Sequence, residues 1–199
     1  GKKVKKGGLD AKQLFTTDPV KAYLLLGTEP ELDSAYPAAA KQALSAASLV
    51  VCMTAFSSQA MRDYADFILP IAPFGENSGT FVNAEGSWQR FYAATVPQGE
   101  AKPAWKVLRA LAGFLMLDDF DYQTEHQVID ELKNKVDKMA ECEAGAVEMT
   151  VLPVVSPKEL TRIAPWPIYR SDGLVRRAAA LQAVHEDELC IEINDATAK

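Results

Sequence analysis

The sequence predicts an α/β fold, an open parallel sheet with helices on both faces, followed by an extended, irregular C-terminal segment. Three observations predict it. Between residues 20 and 70, short apolar runs alternate with helix-forming stretches through short connections, as parallel strands joined by crossover helices do. The apolar runs are bounded by turn residues and are of strand length. Further on, apolar residues recur at helical spacing behind recognisable start signals.

The elements follow in order. Ala22–Leu26 is an apolar run ending at Gly27 and reads as a buried strand. Asp33 or Ser34 is a candidate cap for a helix with Pro37 in its first turn and an alanine-rich body. Leu49–Met53 is a second buried strand. Ser57 or Ser58 caps a short helix through Tyr64, and Asp66–Leu69 is a third strand, stopped by Pro70. A glycine-rich loop, Gly75 to Gly79, leads to two strands, Thr80–Ala84 and Trp88–Thr95, joined near Glu85-Gly86. Pro103 opens a helix with Trp105, Leu108, Leu111, Ala112 and Leu115 on one face. Thr124-x-x-Gln127 is a capping box, with Val128, Leu132, Val136 and Met139 behind it as a core-facing stripe. Glu131 and Lys135 form an i,i+4 pair outside that stripe.

The chain divides into residues 1–19, a flexible Lys/Gly-rich start; 20–140, the α/β domain; and 141–199, the extended C-terminal segment with Pro153, Pro157, Pro165 and Pro167. The first residue is glycine, and too little chain follows Asn194-Asp195 for the helix those residues would cap. The sequence therefore reads as a segment of a longer polypeptide, cut within a further element.

Composition narrows the partners. Hydrophobic residues make up 48% and charged residues 24%, as in globular proteins. No apolar run reaches the eighteen residues of a membrane span, so direct membrane insertion is not expected. Net charge is −6, and four of the lysines lie in the first six residues, leaving an acidic body. That charge argues against nucleic acid. Cys52, Cys142 and Cys190 are far apart, which is neither a zinc nor an iron–sulfur spacing. They read as buried or free thiols of a reducing, cytoplasmic setting. His126 and His185 form no ligand pair, so no metal site is expected.

Ligands of an open parallel sheet bind beyond the carboxyl ends of its strands. Here those ends are Gly27–Pro30, Thr54–Ser57 and the stretch from Pro70 to Thr80. Their small polar residues could offer backbone N–H groups to a phosphate or a pterin edge. The candidate cofactor-binding residues are Gly79, Thr80, Asn83, Glu85 and Gln89. No Ser–His–Asp order, phosphate-binding Gly-x-x-x-x-Gly-Lys motif or Gly-x-Gly-x-x-Gly is present. No catalytic residue is assigned, and the chain alone is expected to be inactive.

Residues 65 to 111 carry a resemblance. Ala65-Asp66-Phe67-Ile68-Leu69-Pro70, Glu76-x-x-Gly79-Thr80-x-x-Asn83-x-Glu85-Gly86-x-x-Gln89 and Pro97-x-Gly99-Glu100-Ala101-x-x-x-Trp105-x-x-Leu108 follow the pattern of the molybdopterin oxidoreductase superfamily. Arg162-Ile163-x-x-x-Pro167-Ile168-Tyr169-x-x-Asp172-x-x-Val175-Arg176-Arg177-x-x-x-Leu181-Gln182 resembles the large iron–sulfur subunit of bacterial NADH:quinone oxidoreductase, respiratory complex I. Two departures stand out. Glu29 occupies a position where pterin enzymes have Asn, and Ser87 one where the pattern has Arg, a phosphate-pairing side chain.

The resemblance implies a molybdopterin-oxidoreductase-like domain acting as scaffold in the C-terminal part of that subunit. It implies no cofactor in this fragment. Iron–sulfur clusters belong to the full-length subunit, and FMN lies elsewhere in a complex that passes electrons from NADH to quinone. Partners would be other subunits of the peripheral arm, on the cytoplasmic side of the bacterial inner membrane. Two alternatives stand beside it: a fragment of a molybdopterin-dependent enzyme such as a formate dehydrogenase, and a stand-alone nucleotide-binding module.

Overall fold

The computed structural model describes residues 8–17, 20–137, 168–184 and 193. The strand expected at 189–193, the prolines from 153 to 167 and Met139 lie outside them, Ile193 excepted. The chain forms two compact units, Gly1–Thr161 and Arg162–Lys199.

In the first unit the elements are α1 (Ala11–Thr16), β1 (Ala22–Leu26), α2 (Pro30–Asp33), α3 (Pro37–Ala46), β2 (Leu49–Thr54), α4 (Gln59–Tyr64), β3 (Phe67–Pro70), β4 (Gly79–Val82), β5 (Trp88–Phe91), α5 (Ala104–Phe114) and α6 (Glu125–Asp137). β1, β2 and β3 form a parallel sheet in that order. β4 and β5 form a separate antiparallel hairpin. The α/β class with a parallel sheet is thus as the sequence predicts. α1, inside the stretch read as a Lys/Gly-rich start, is set by a capping box between Asp10 and Gln13.

One core holds the sheet. Tyr23, Leu25, Val50 and Cys52 meet Leu44 of α3 and Met61 and Tyr64 of α4, with Leu14 and Phe15 of α1 at the margin. Burial in β1 alternates, and this corrects the expectation for that strand. Tyr23 and Leu25 are inside, whereas Leu24 and Leu26 are 50% and 47% exposed. A uniform apolar run cannot say which face finds a cover, because period-2 alternation is invisible when both faces are apolar.

Caps differ in detail from the expectation. Ser58 caps α4, its Oγ accepting from Met61 N at 3.0 Å. α3 starts instead at Tyr36 without a side-chain cap. Asp33 belongs to α2 and accepts from Glu29 N at 2.7 Å, while Ser34 Oγ accepts from Tyr36 N at 3.0 Å. At α6 the capping box forms as read, Thr124 N donating to Gln127 Oε1 and Gln127 N to Thr124 Oγ1. The stripe behind it is less buried than expected, with Leu132 50% exposed and Val136 exposed as well.

In the second unit the described residues 168–184 form two short helical turns, Ile168–Arg170 and Val175–Arg177, followed by α7 (Ala179–Gln182). Asp172 Oδ1 accepts from Leu174 N and Val175 N, both at 2.8 Å. Gln182 Nε2 donates to the carbonyls of Tyr169 and Val175, also at 2.8 Å. Asp172 fixes the turn and Gln182 ties its two ends, so these residues of the quoted pattern are structural.

Candidate functional site

The carboxyl ends of β1 and β2 are closed by their own side chains. Gly27, at φ +63°, turns the chain out of β1 in a conformation that glycine adopts at least cost, and its N–H reaches Met53 O at 2.8 Å. The chain then enters α2, where Glu29 and Pro30 are buried. Glu31 spans the strand ends: its carboxylate accepts from Ser58 Oγ at 3.1 Å and from Tyr64 Oη at 3.0 Å. Thr54 closes the next loop on itself, its Oγ1 accepting from Phe56 N at 3.1 Å and donating to Phe56 O at 2.8 Å. Arg62 ties down Ser57 through Nη1, 2.6 Å from Ser57 Oγ.

This closure sets the electrostatics. Burial, then the negative charge of Glu31, pushes the Cys52 thiol from 9.0 up to about 11. Burial and then Glu31 likewise hold the Tyr64 hydroxyl above its ordinary range. Both groups stay protonated at neutral pH, so neither is poised as nucleophile or base.

The five candidate residues fall together, but on the hairpin. Gly79 and Thr80 lie on β4 opposite Phe91 and Arg90, and Gln89 on β5 opposite Phe81. Asn83 organises the connecting turn: its Oδ1 accepts from Glu85 N at 3.0 Å and Ser87 N at 2.9 Å. Gly86 completes that turn at φ +83°. Gly79 is not at positive φ. A Cβ there would lie 2.8 Å from Phe91 Cζ, so any side chain at this position must push that ring aside. That ring packs with Phe74 and Phe81, at centroid distances of 4.8 and 5.0 Å.

A cleft of about 320 Å³ lies where the glycine-rich loop meets the start of α5, lined by Glu76, Asn77, Ser78, Lys102, Trp105 and Lys106 among others. That is the low end of the range for small-molecule sites, roughly 300–1,000 Å³. Its walls are tied from behind: Glu76 Oε2 accepts from Gln98 N and Ser78 Oγ from Ala93 N, both at 3.0 Å. Lys106 Nζ stands 5.3 Å from the centre of the Trp105 ring. None of the five candidate residues lines the cleft. Among the described residues no cluster of His, Cys, Asp and Glu could hold a metal ion, and no helix is long and apolar enough to cross a membrane.

The family model described as Molybdopterin oxidoreductase matches residues 1–114. A "Putative formate dehydrogenase" of Staphylococcus aureus strain MRSA252 is 42% identical over 69 residues, 35% of this chain and 7% of the relative. Proteins of the same name in strains USA300 and NCTC 8325 match at the same identity and coverage. The aligned residues thus span 7% of the length of these relatives.

A pterin cofactor carries phosphate, which needs converging N–H groups or cations. At the described ends of β1 and β2, three N–H groups already have side-chain partners. Glu29 N is taken by Asp33, Phe56 N by Thr54 and Met61 N by Ser58.

Proposed function

We propose that this chain, which belongs to the molybdopterin oxidoreductase family, is a scaffold domain of a redox subunit, and that the subunit is the large iron–sulfur subunit of bacterial NADH:quinone oxidoreductase. One observation carries the scaffold reading: Glu31 bridges Ser58 and Tyr64 across the strand ends, where this class of sheet otherwise receives its ligand. An acidic strap there repels phosphate and holds α2 on α4.

The choice of parent is supported by the segment that resembles this subunit, in which Asp172 and Gln182 have well-defined structural tasks. On this reading the domain binds no cofactor of its own. Electrons pass through flavin and iron–sulfur clusters held elsewhere, and this domain positions its neighbours in the peripheral arm, on the cytoplasmic side of the membrane. A second reading, a part of a formate dehydrogenase, is favoured by the names of the relatives.

Metal analysis and activity separate the two. The complete polypeptide that carries these residues should contain iron without stoichiometric molybdenum or tungsten, and deleting its gene should abolish NADH-dependent quinone reduction by isolated membranes. Stoichiometric molybdenum with formate-dependent dye reduction would overturn the proposal in favour of the second reading.

A further inference from the structure

Helix α5 ends in a run of residues that local folding rules disfavour. Phe114, Leu115, Met116 and Leu117 are all exposed, Phe114 by 86% and Met116 by 88%, and Phe120 follows three residues on, exposed as well. Folded domains rarely leave so many large apolar side chains together in water. The chain leaves the helix through a left-handed residue. Leu117 N donates to Ala112 O at 3.0 Å and Met116 N to Gly113 O at 3.1 Å, with Met116 at φ +52°. Glycine is the usual residue at such a helix end, because a Cβ is crowded there. Gly113, in the last turn of α5, is in turn a weaker helix former than alanine. Among the described residues, a Cβ added at 113 would meet nothing within 4 Å. Seen locally, alanine at 113 and glycine at 116 would make the better helix end, yet the chain has the reverse. Backbone strain of this kind collects where a surface has a task.

Charge borders the same run. Asp118, Asp119 and Asp121 are exposed, and no lysine or arginine lies between Arg109 and Lys133. Arg109 Nη1 is engaged with Tyr122 O at 2.6 Å, and Lys135 with Glu131. An apolar centre inside a charged rim is the anatomy of a contact between separate chains. Burial under the protein's own core would desolvate three carboxylates along with the apolar residues, which is costly unless each finds a partner.

We infer that Phe114–Leu117 and Phe120 form a docking knob for a second, different protein chain, one that offers an apolar groove bordered by lysine or arginine. The apolar side chains fill the groove, and the small Gly113 lets the partner's surface come close to the end of α5. The aspartates select the basic rim, since complementary charge fixes which partner binds. A second copy fits less well, because a twofold contact would set the aspartates against each other. An anionic lipid surface would be repelled by the same three groups. The inference goes beyond the scaffold reading and stands with either parent.

Oxidation of Met116 in the unaltered protein tests it. In the complete polypeptide purified alone, dilute hydrogen peroxide should convert Met116 to the sulfoxide as fast as a free methionine. In the native assembly the conversion should be about tenfold slower or more. The variant Met116→Gly should raise the urea midpoint of the isolated polypeptide, yet make the assembly come apart at about tenfold higher concentration. Replacing Asp118 and Asp121 by lysine should weaken the assembly at low salt and change it little at high salt. Equal oxidation in both samples would overturn the inference. So would protection already present in the isolated polypeptide, where dilution tells cover by its own chain from cover by a second copy. Protection by vesicles of phosphatidylglycerol and phosphatidylethanolamine would assign the knob to a membrane and overturn it too. A lower midpoint in Met116→Gly would make the methionine structural, and lysine variants that assemble normally at low salt would reject the basic rim; either result sinks the proposal.

Discussion

The parallel sheet and the hairpin are both built from strands of four to six residues, yet different forces hold them. In the sheet Leu44, Val50, Cys52 and Met61 are at most 1% exposed, and distant parts of the chain converge on them. In the hairpin no residue of β4 or β5 is buried. Its shape comes from the Asn83 turn and three packed phenylalanines. The sheet is stabilised by burial, which is cooperative and non-local. The hairpin is stabilised by local hydrogen bonds and ring contacts, each worth little alone. The candidate binding residues fall on the locally held element because a tight turn needs the same glycine, asparagine and threonine that a phosphate loop does.

The largest effects should come from the covered side of the sheet. Met61→Ala should lower stability by about 2–5 kcal/mol, as truncations in a filled core do. Leu26→Ala, on the half-exposed face, should cost about 1 kcal/mol. Urea unfolding of the two variants measures the gap, and equal losses would mean that Leu26 is as enclosed as Met61.

Hairpin substitutions should come next and stay local. Gly86→Ala puts a side chain at φ +83° and should cost about 1–2 kcal/mol. Asn83→Ala removes the acceptor of two backbone N–H groups and should cost about 1 kcal/mol. Gly79→Ala must push Phe91 off its two ring partners, at about 0.5–1.5 kcal/mol. In each case amides of β4 and β5 should exchange faster while those of β2 keep their rates. Slowing or speeding of both together would show that the two regions fold as one unit.

Alkaline titration sharpens the contrast further. Folded Cys52 holds its proton to about pH 11, while the unfolded thiol loses it near 9.0. The unfolded state then binds fewer protons, so stability falls as pH rises from about 9 to about 11. Tyr64, also raised, extends the loss above the ordinary tyrosine value of 10.0. Chemical unfolding at stepped pH should show the decline in the wild type, shortened at its upper end in Tyr64→Phe and at its lower end in Cys52→Ala. A flat profile would mean that the core under the strand ends is open to water.

The smallest effect belongs to α6. Glu131 is held below its usual range by Lys135 first and Tyr122 second. Its contribution is present above the unfolded value near 4.5 and is lost as pH falls through the lower folded value. The group is exposed, so Lys135→Met should move stability only slightly and only at low salt. A large, salt-independent change would show that this helix surface is buried against something.

Much of the fold was legible. The three sheet strands lie within a residue of their expected bounds because each is a short apolar run; Gly27 ends β1 as read, whereas Pro70, read as the stop of β3, is its last residue and pairs with Thr54. Ser58, Thr124 and Gln127 cap where expected, since capping depends on neighbours a few residues apart. The candidate site was less legible. The joint at Glu85-Gly86 is where the sequence puts it, but Asn83, a candidate binding residue, serves to build that same turn. Lys102 and Lys106 line a cleft that the sequence does not reveal, because the loop that completes it, with Glu76, Asn77 and Ser78, is distant along the chain; Trp105, read as part of a helix face, lines it too.

By itself the sequence determined what short-range chemistry determines: the alternation of strand and helix, the caps, the turns and the family pattern. The tertiary structure alone decided which side of each strand is covered, that Glu31 closes the strand ends, and that Phe91 stands over Gly79. The physical reason is that burial and charge pairing belong to pairs of groups distant along the chain. A run such as Ala22–Leu26 carries the same residues whether its second face is covered or open, and only the packed molecule distinguishes them.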